Sequence, residues 1–184
     1  VNDPSFSERA EILRDKGTNR QRFYRGEVDK YTWVDLGSSF LASELTAAFL
    51  AAQLEEAELI TRKRCEIFRY YRDNLRGLET EGRIRLPVVP DECGHNAHMF
   101  YILLESEEVR RRLIAHLRSV GIHAVFHYVP LHSSPMGRRF GRCAGPLTVT
   151  EDVAPRLLRL PCYYELTPSE QDWVLEAVWG FLRP

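Results

Sequence analysis

The run His127-Tyr-Val-Pro-Leu-His132 places two imidazoles and a phenol within a few residues of one another. Imidazole titrates near neutrality and both donates and accepts protons, so such a run suits contact with a polar substrate. On an extended strand His123, Val125 and His127 share one face while Phe126 and Tyr128 take the other. After Pro130 the chain turns, and His132 follows; His123 reads as an ordinary satisfied polar residue. A second candidate is Gly37-Ser38-Ser39, just ahead of a long helical pattern. Hydroxyls, free backbone N–H groups and the positive end of a helix would together suit an anion, although serines at helix starts are commonplace as caps. A third is the segment Gly17–Trp33, which carries Arg20, Tyr24, Arg25, Tyr31 and Trp33. Arginine grips a diphosphate through two parallel hydrogen bonds and aromatic rings stack on a base or sugar; the same residue types also populate dimer interfaces.

Other chemistry-bearing residues carry less. Cys93-x-His95-x-x-His98 superficially resembles metal ligation but lacks a fourth ligand, and no metal is expected there. The four cysteines, Cys65, Cys93, Cys143 and Cys162, are far apart with no Cys-x-x-Cys pair, which points to reduced thiols. The only lysines are Lys16, Lys30 and Lys63. Lys16 closes a helical stretch, Lys30 lies in Asp-Lys-Tyr-Thr-Trp and Lys63 sits among charges; each reads as a surface or structural residue.

Elements must position these groups. Phe6, Ala10 and Leu13 form an apolar stripe over Ser5–Lys16, with Gly17 as a stop signal, which predicts an amphipathic helix. Residues 18–40 lack a regular period and read as an irregular contact segment. Leu45, Ala48, Phe49 and Ala52, then Phe68, Tyr71 and Leu75, predict one long helix over 43–76, with room for a bend, Ser43 as its N-cap and Glu44 in its first turn. Gly77, Gly82, Pro87, Pro90 and Gly94 predict a loop, with a short strand at 84–86. Next come a strand at 98–104, a helix at 106–120 and a strand at 122–128, a strand-helix-strand unit able to bury its own core. Thr167-Pro-Ser-Glu170 has the form of a capping box with proline at the first helical position, opening a closing helix that carries Val174, Ala177, Val178 and Phe181.

A chain of 184 residues with 44% hydrophobic and 28% charged residues can build a substantial core. No apolar run approaches the ~18 residues needed to span a bilayer. The start, Val-Asn-Asp-Pro-Ser-Phe-Ser-Glu, has neither a basic segment nor an apolar run, so export is not expected and a cytoplasmic location is. Net charge is −1, and basic residues are interspersed with acids, which argues against a nucleic-acid partner.

Asp29-Lys-Tyr-Thr-Trp33, Gly37-Ser-Ser-Phe-Leu-Ala-Ser-Glu-Leu45 with Ala47-Ala48, and His127–His132 together resemble the DegT/DnrJ/EryC1/StrS family of sugar aminotransferases that use pyridoxal phosphate. The similarity is strongest to the branch that aminates TDP-4-keto-6-deoxy sugars. Asn96-Ala-His-Met-Phe100 resembles the entry into a strand of the family's small domain, which accounts for His98 without metal. Many members have Gly-Tyr-Asn-Tyr-Arg-Met-Ser-Glu-Leu around the helix start, where the asparagine reaches across the dimer to the neighbour's cofactor phosphate. Here Ser39 takes its position, so the resemblance implies a phosphate contact for Ser39, with Ser38 a weaker second. It likewise implies substrate contacts for His127, Tyr128 and His132; Arg20, Tyr31 and Trp33 are substrate candidates by residue type, and since active sites in that family are shared between subunits they can serve a dimer interface as well. The lysine that holds the cofactor lies, in that family, upstream of the segment matching Val1-Asn2-Asp3, so no catalytic residue is assigned within this chain.

The fold so implied is α/β, an aspartate-aminotransferase-like pyridoxal-phosphate transferase fold. Residues 1–45 would be a remnant of the large cofactor-binding domain with the start of a connecting helix, and 46–184 the small C-terminal domain. The implied reaction moves an amino group, from glutamate, to the C4 ketone of a nucleotide-linked 6-deoxy sugar in a homodimer. The fragment alone is expected to be inactive and to expose apolar surface over residues 1–45. The rival reading is a non-catalytic module that dimerises or binds a nucleotide sugar.

Overall fold

The computed structural model describes residues 1–183. Two compact units make up the chain, Val1–Glu56 and the remainder from Ala57 onward.

In the first unit a 3-10 turn at Pro4–Phe6 leads into helix α1, Ser7–Arg14. The Asp3 carboxylate accepts from the Ser5 N–H at 2.9 Å and starts the turn. Helix α1 ends two residues short of the predicted last residue, Lys16, because Asp15 leaves helical geometry and both Lys16 and Gly17 take positive φ, 59° and 76°. The stretch predicted to be irregular contains a short helix, α2, Arg20–Tyr24. Two isolated antiparallel bridges, Asp15 to Ser39 and Thr18 to Trp33, tie the rest of it to the end of α1. Helix α3, Glu44–Glu55, starts where expected, with the Thr46 N–H donating to Ser43 Oγ at 3.2 Å. Apart from Asp15 and Gly17, no described residue of this unit is buried. The apolar residues of α3 are spread around the helix, with Leu45 85% and Phe49 72% exposed. A helix of that composition is stable when other protein covers it.

The second unit opens with helix α4, Ala57–Thr80. The predicted single helix is thus two, because Glu56 sits outside helical geometry at φ −99°, ψ 9°. Gly77, expected to end it, lies inside α4: a Cβ there would stand 2.7 Å from the Trp179 ring, so the glycine makes room for an aromatic side chain from another helix. Strands β1, Ile84–Arg85, and β2, Phe100–Leu104, follow, then helix α5, Glu107–Ser119, and strand β3, Val125–Phe126. A 3-10 turn at Leu131–Ser133 precedes the short helices α6, Pro135–Phe140, and α7, Thr148–Val153. Strand β4, Leu157–Leu160, and helix α8, Pro168–Leu182, complete the unit.

The sheet order is β1-β2-β4-β3 with every neighbouring pair antiparallel. The predicted strand-helix-strand unit does not close on itself, because β4 lies between β2 and β3. This is a split β-α-β arrangement, and it depends on a strand whose four residues, Leu-Leu-Arg-Leu, carry too little period to be read locally. One face of the sheet is packed by helices. Phe100, Ile102 and Leu104 of β2 and Leu158 and Leu160 of β4 meet Tyr71 and Leu75 of α4, Leu113 and Leu117 of α5, and Val178 of α8 in one core cluster. Both α5 and α8 are capped, α8 as expected. Ser106 Oγ accepts from the Val109 N–H at 3.2 Å, and Thr167 with Glu170 forms the reciprocal capping box.

Tyr71 is fully buried and its hydroxyl has no partner among the described residues, while burial pushes its pKa up. An unpaired buried hydroxyl costs free energy that a phenyl ring of the same shape does not. Tyr71→Phe should therefore leave thermal stability unchanged or raise it, by up to about 1 kcal/mol. A clear fall in Tm on calorimetry would reveal a buried water or partner for the hydroxyl.

Candidate functional site

The candidate residues fall into two groups, one in each compact unit. In the first, α1 and its left-handed exit act as the support. Gly17 O accepts from the N–H groups of Val34 and Asp35 at 2.8 and 3.0 Å, and Lys16 N–H donates to Ser38 O at 3.1 Å. Ser38 N–H donates to Leu13 O at 2.9 Å, and Phe40 N–H to Arg14 O at 3.1 Å. These bonds hold Gly37-Ser38-Ser39 as an extended segment, so the expectation that the serines sit at a helix N-terminus is corrected. Helix α3 begins at Glu44 and Ser43 caps it. The field of a helix end fades within one turn, so Ser38 and Ser39 do not share it. Nor is the Ser38 N–H free. Their hydroxyls are exposed and make no hydrogen bond among the described residues, which leaves two neutral donors.

In the same unit, the Arg20 guanidinium lies over two rings, 5.3 Å from the Tyr24 centroid and 5.5 Å from that of Tyr31. Phe23 meets Tyr31 edge to face at 5.7 Å. The structure thus brings Arg20 and Tyr31 together, and adds Tyr24. Trp33 pairs through its backbone with Thr18 and leaves its ring exposed. Asp15 of this unit is 3% exposed, and its Oδ2 has no partner among the described residues. Sequence patterning does not single out Asp15, because aspartate at the end of a helical stretch is ordinary.

In the second unit, only Val125 and Phe126 pair as strand β3, against Arg159 and Leu158 of β4. His123, His127 and Tyr128 therefore lie outside the paired strand, which is shorter than the predicted 122–128. The pairing is short because β3 is the sheet edge, with β4 its sole neighbour, and Pro130, soon after it, has no N–H to extend a ladder. His127 and Tyr128 remain adjacent, with ring centroids 5.5 Å apart. The Nδ1 of His127 is buried without a partner among the described residues. His132 lies on the 3-10 turn with Nε2 3.3 Å from Glu151 Oε1, a contact to α7 that the sequence did not suggest. Gly137 packs against that turn so closely that a Cβ would overlap the Leu131 carbonyl oxygen.

Arg159 joins this group from β4. Its Nη2 donates to Phe126 O at 3.3 Å and its guanidinium lies 5.7 Å from the Tyr128 ring centroid. The signal was present as a lone charge in Leu157-Leu-Arg-Leu160, but its neighbours become visible only with the register of the sheet. Cys93, His95 and His98 do not converge. The His95 ring packs on Phe68 with centroids 4.5 Å apart, and burial lowers its pKa. His98 Nδ1 is 3.1 Å from Asn96 Oδ1. Among the described residues no three His, Cys, Asp or Glu side chains gather as metal ligands, and no helix is long and apolar enough to cross a membrane.

Residues 1–179, which include both groups, match the family model described as the DegT/DnrJ/EryC1/StrS aminotransferase family. The chain belongs to that family. Among curated relatives, the dTDP-3-amino-3,4,6-trideoxy-alpha-D-glucose transaminase of Micromonospora megalomicea subsp. nigra is 28% identical over 166 residues, covering 89% of this chain and 43% of the relative. The dTDP-4-dehydro-2,3,6-trideoxy-D-glucose 4-aminotransferase of Saccharopolyspora spinosa is 28% identical over 174 residues, covering 91% and 43%. Among solved structures, a DegT DnrJ EryC1 StrS aminotransferase from Brucella abortus superposes with a TM-score of 0.80 at 25% identity, over 100% of this chain and 45% of its own. The chain spans less than half the length of each of these relatives. Its fold is that of the family's pyridoxal-phosphate-dependent sugar aminotransferases, a mixed α/β arrangement with a small sheet.

Proposed function

We propose that this chain is the C-terminal portion of an aminotransferase that moves an amino group from glutamate to the C4 ketone of a nucleotide-linked 4-keto-6-deoxy sugar. The observation that carries the reading is the family match over residues 1–179, which runs through both groups of candidate residues. Curated relatives that act on dTDP-linked deoxy sugars support the substrate class.

Pyridoxal phosphate, when bound, stores the amino group between the two halves of such a reaction. This chain fits part of a phosphate cradle. The exposed hydroxyls of Ser39 and Ser38 are uncommitted donors, and Ser39 is assigned the phosphate contact with Ser38 in support. Two neutral hydroxyls do not balance a dianion, so further donors and the cofactor-bearing lysine belong to the rest of the protein. Lys16, Lys30 and Lys63 are not assigned that role. Arg20, Tyr31 and Trp33 supply cationic and stacking contacts to the nucleotide sugar, and His127, Tyr128 and His132 line the substrate side. Residues 1–45 are read as belonging to the large domain and 46–184 as the small domain. The protein is proposed to work as a homodimer in the cytoplasm, with the apolar surface of α3 covered in the complete assembly.

The test is direct. The complete native polypeptide containing this chain is incubated with pyridoxal phosphate, glutamate and TDP-4-keto-6-deoxyglucose, and the sugar product is analysed by mass spectrometry. The 4-amino sugar should form together with 2-oxoglutarate, and residues 1–184 alone should form neither. No amino sugar from the complete polypeptide, or steady turnover by residues 1–184 alone, contradicts the proposal.

A further inference from the structure

Four arginines have a guanidinium Nε buried without a hydrogen-bond partner among the described residues, Arg20, Arg64, Arg110 and Arg159. Arg110 pairs with Glu107. Arg20 lies on its tyrosines, and Arg64 donates to the His98 carbonyl oxygen. Arg159 differs in where it stands. It is half-buried, no carboxylate among the described residues pairs with it, and it lies next to the His127–Tyr128 group.

The register of the sheet explains its orientation. Leu158 and Leu160 of β4 join the helix-packed core, so Arg159, between them, projects from the opposite face. On that face it stands level with Tyr101 of β2 on one side and Val125 of β3 on the other. Nη2 is used by Phe126 O, while Nε is left without a partner among the described residues. A partly desolvated guanidinium with no counter-charge is unfavourable, and a bound anion removes that cost. Guanidinium geometry matches a planar oxyanion through parallel N–H groups.

We infer that Arg159 is an anion-binding residue for the carboxylate of the amino-acid donor, set between Tyr101, Val125 and Tyr128. The inference rests on the aminotransferase reading above, which requires an amino acid to be held with its carboxylate fixed. A carboxylate suits the site better than a diphosphate. The immediate neighbours are neutral and mostly aromatic, so one guanidinium balances one charge, whereas a diphosphate would call for more than one cation.

Glutarate, a dicarboxylate with no amino group to transfer, and thymidine diphosphate serve as probes. Both are titrated by calorimetry into the complete polypeptide loaded with pyridoxal phosphate, as wild type, Arg159→Gln and Arg159→Lys. Loss of a charged hydrogen-bonding partner should weaken glutarate binding about tenfold or more in Arg159→Gln. Arg159→Lys, which keeps the charge but not the fork, should fall between the two. Thymidine diphosphate affinity should stay within about twofold in both variants, which also shows that they are folded. Unchanged glutarate affinity in Arg159→Gln overturns the inference. So does a comparable or selective loss of thymidine diphosphate binding, which would assign the guanidinium to the nucleotide or to structure. A wild type that binds glutarate through Arg159 yet forms no amino sugar would defeat the functional reading and leave this residue's role standing.

Discussion

Gly17→Ala should disrupt the first unit and cost more than about 3 kcal/mol, with loss of amide protection at Val34, Asp35 and Ser38 in hydrogen exchange. Two effects add. At φ 76° any β-carbon is strained by about 1–2 kcal/mol. Beyond this, the added carbon would stand 1.8 Å from the Asp35 carbonyl oxygen, a backbone atom that moves only if the whole crossing opens. Gly26 supplies the control, since its φ is 72° but a methyl group placed there would have nothing within 4 Å. Gly26→Ala should show the strain alone. Gly37→Ala isolates the other part: its φ is unexceptional, and its new carbon would stand 2.0 Å from Gly17 N. Equal losses for Gly17→Ala and Gly26→Ala would show that close approach contributes nothing. Because this crossing holds Ser38 and Ser39 in place, the Gly17 and Gly37 variants of the complete protein should also bind pyridoxal phosphate more weakly, measured by fluorescence titration.

In the second unit the largest single loss should come from Phe100→Ala. Phe100 is fully buried at the first position of β2, with ring centroids 5.0 Å from Phe68 and 5.1 Å from Tyr71, and it pairs across the sheet with Leu160. Removing a buried ring leaves a cavity between α4 and the sheet and should cost about 3–5 kcal/mol. Phe100→Leu, which removes fewer buried carbons and leaves a smaller cavity, should cost clearly less than Phe100→Ala if cavity formation dominates. Chemical denaturation of the three proteins checks this. A Phe100→Leu loss as large as that of alanine would mean that aromatic geometry, and not filled volume, holds α4 to β2. Phe100 also has a consequence for the site, since β2 is the strand against which β4 and its Arg159 are registered.

These expectations also separate what was legible in the residues from what was not. Ser43 and the Thr167–Glu170 box mark helix starts because capping is chemistry between residues three apart, and their bonds are where the pattern placed them. The amphipathic stripes of α4 and α5 were legible for the same local reason. The family was legible too, since Asp29–Trp33, Gly37–Leu45 and His127–His132 are contiguous runs, and the match over residues 1–179 contains them all.

Tertiary structure decided what depends on partners distant in sequence. Gly77 reads as a stop until Trp179, about a hundred residues later, needs the space above it. Leu157–Leu160 becomes a strand by pairing with β2 on one side and β3 on the other, and that insertion divides a unit that looked self-sufficient. Ser38 and Ser39 looked like a helix start but are an extended segment bonded to the end of α1. Arg159 shows the limit most clearly. Its charge is plain in the sequence, but only strand register sets it between Tyr101 and Val125, beside His127 and Tyr128 and without a counter-charge among the described residues. Capping and amphipathic periodicity are written in neighbouring residues; register and close backbone approach arise from contacts whose sequence separation leaves no local pattern to read.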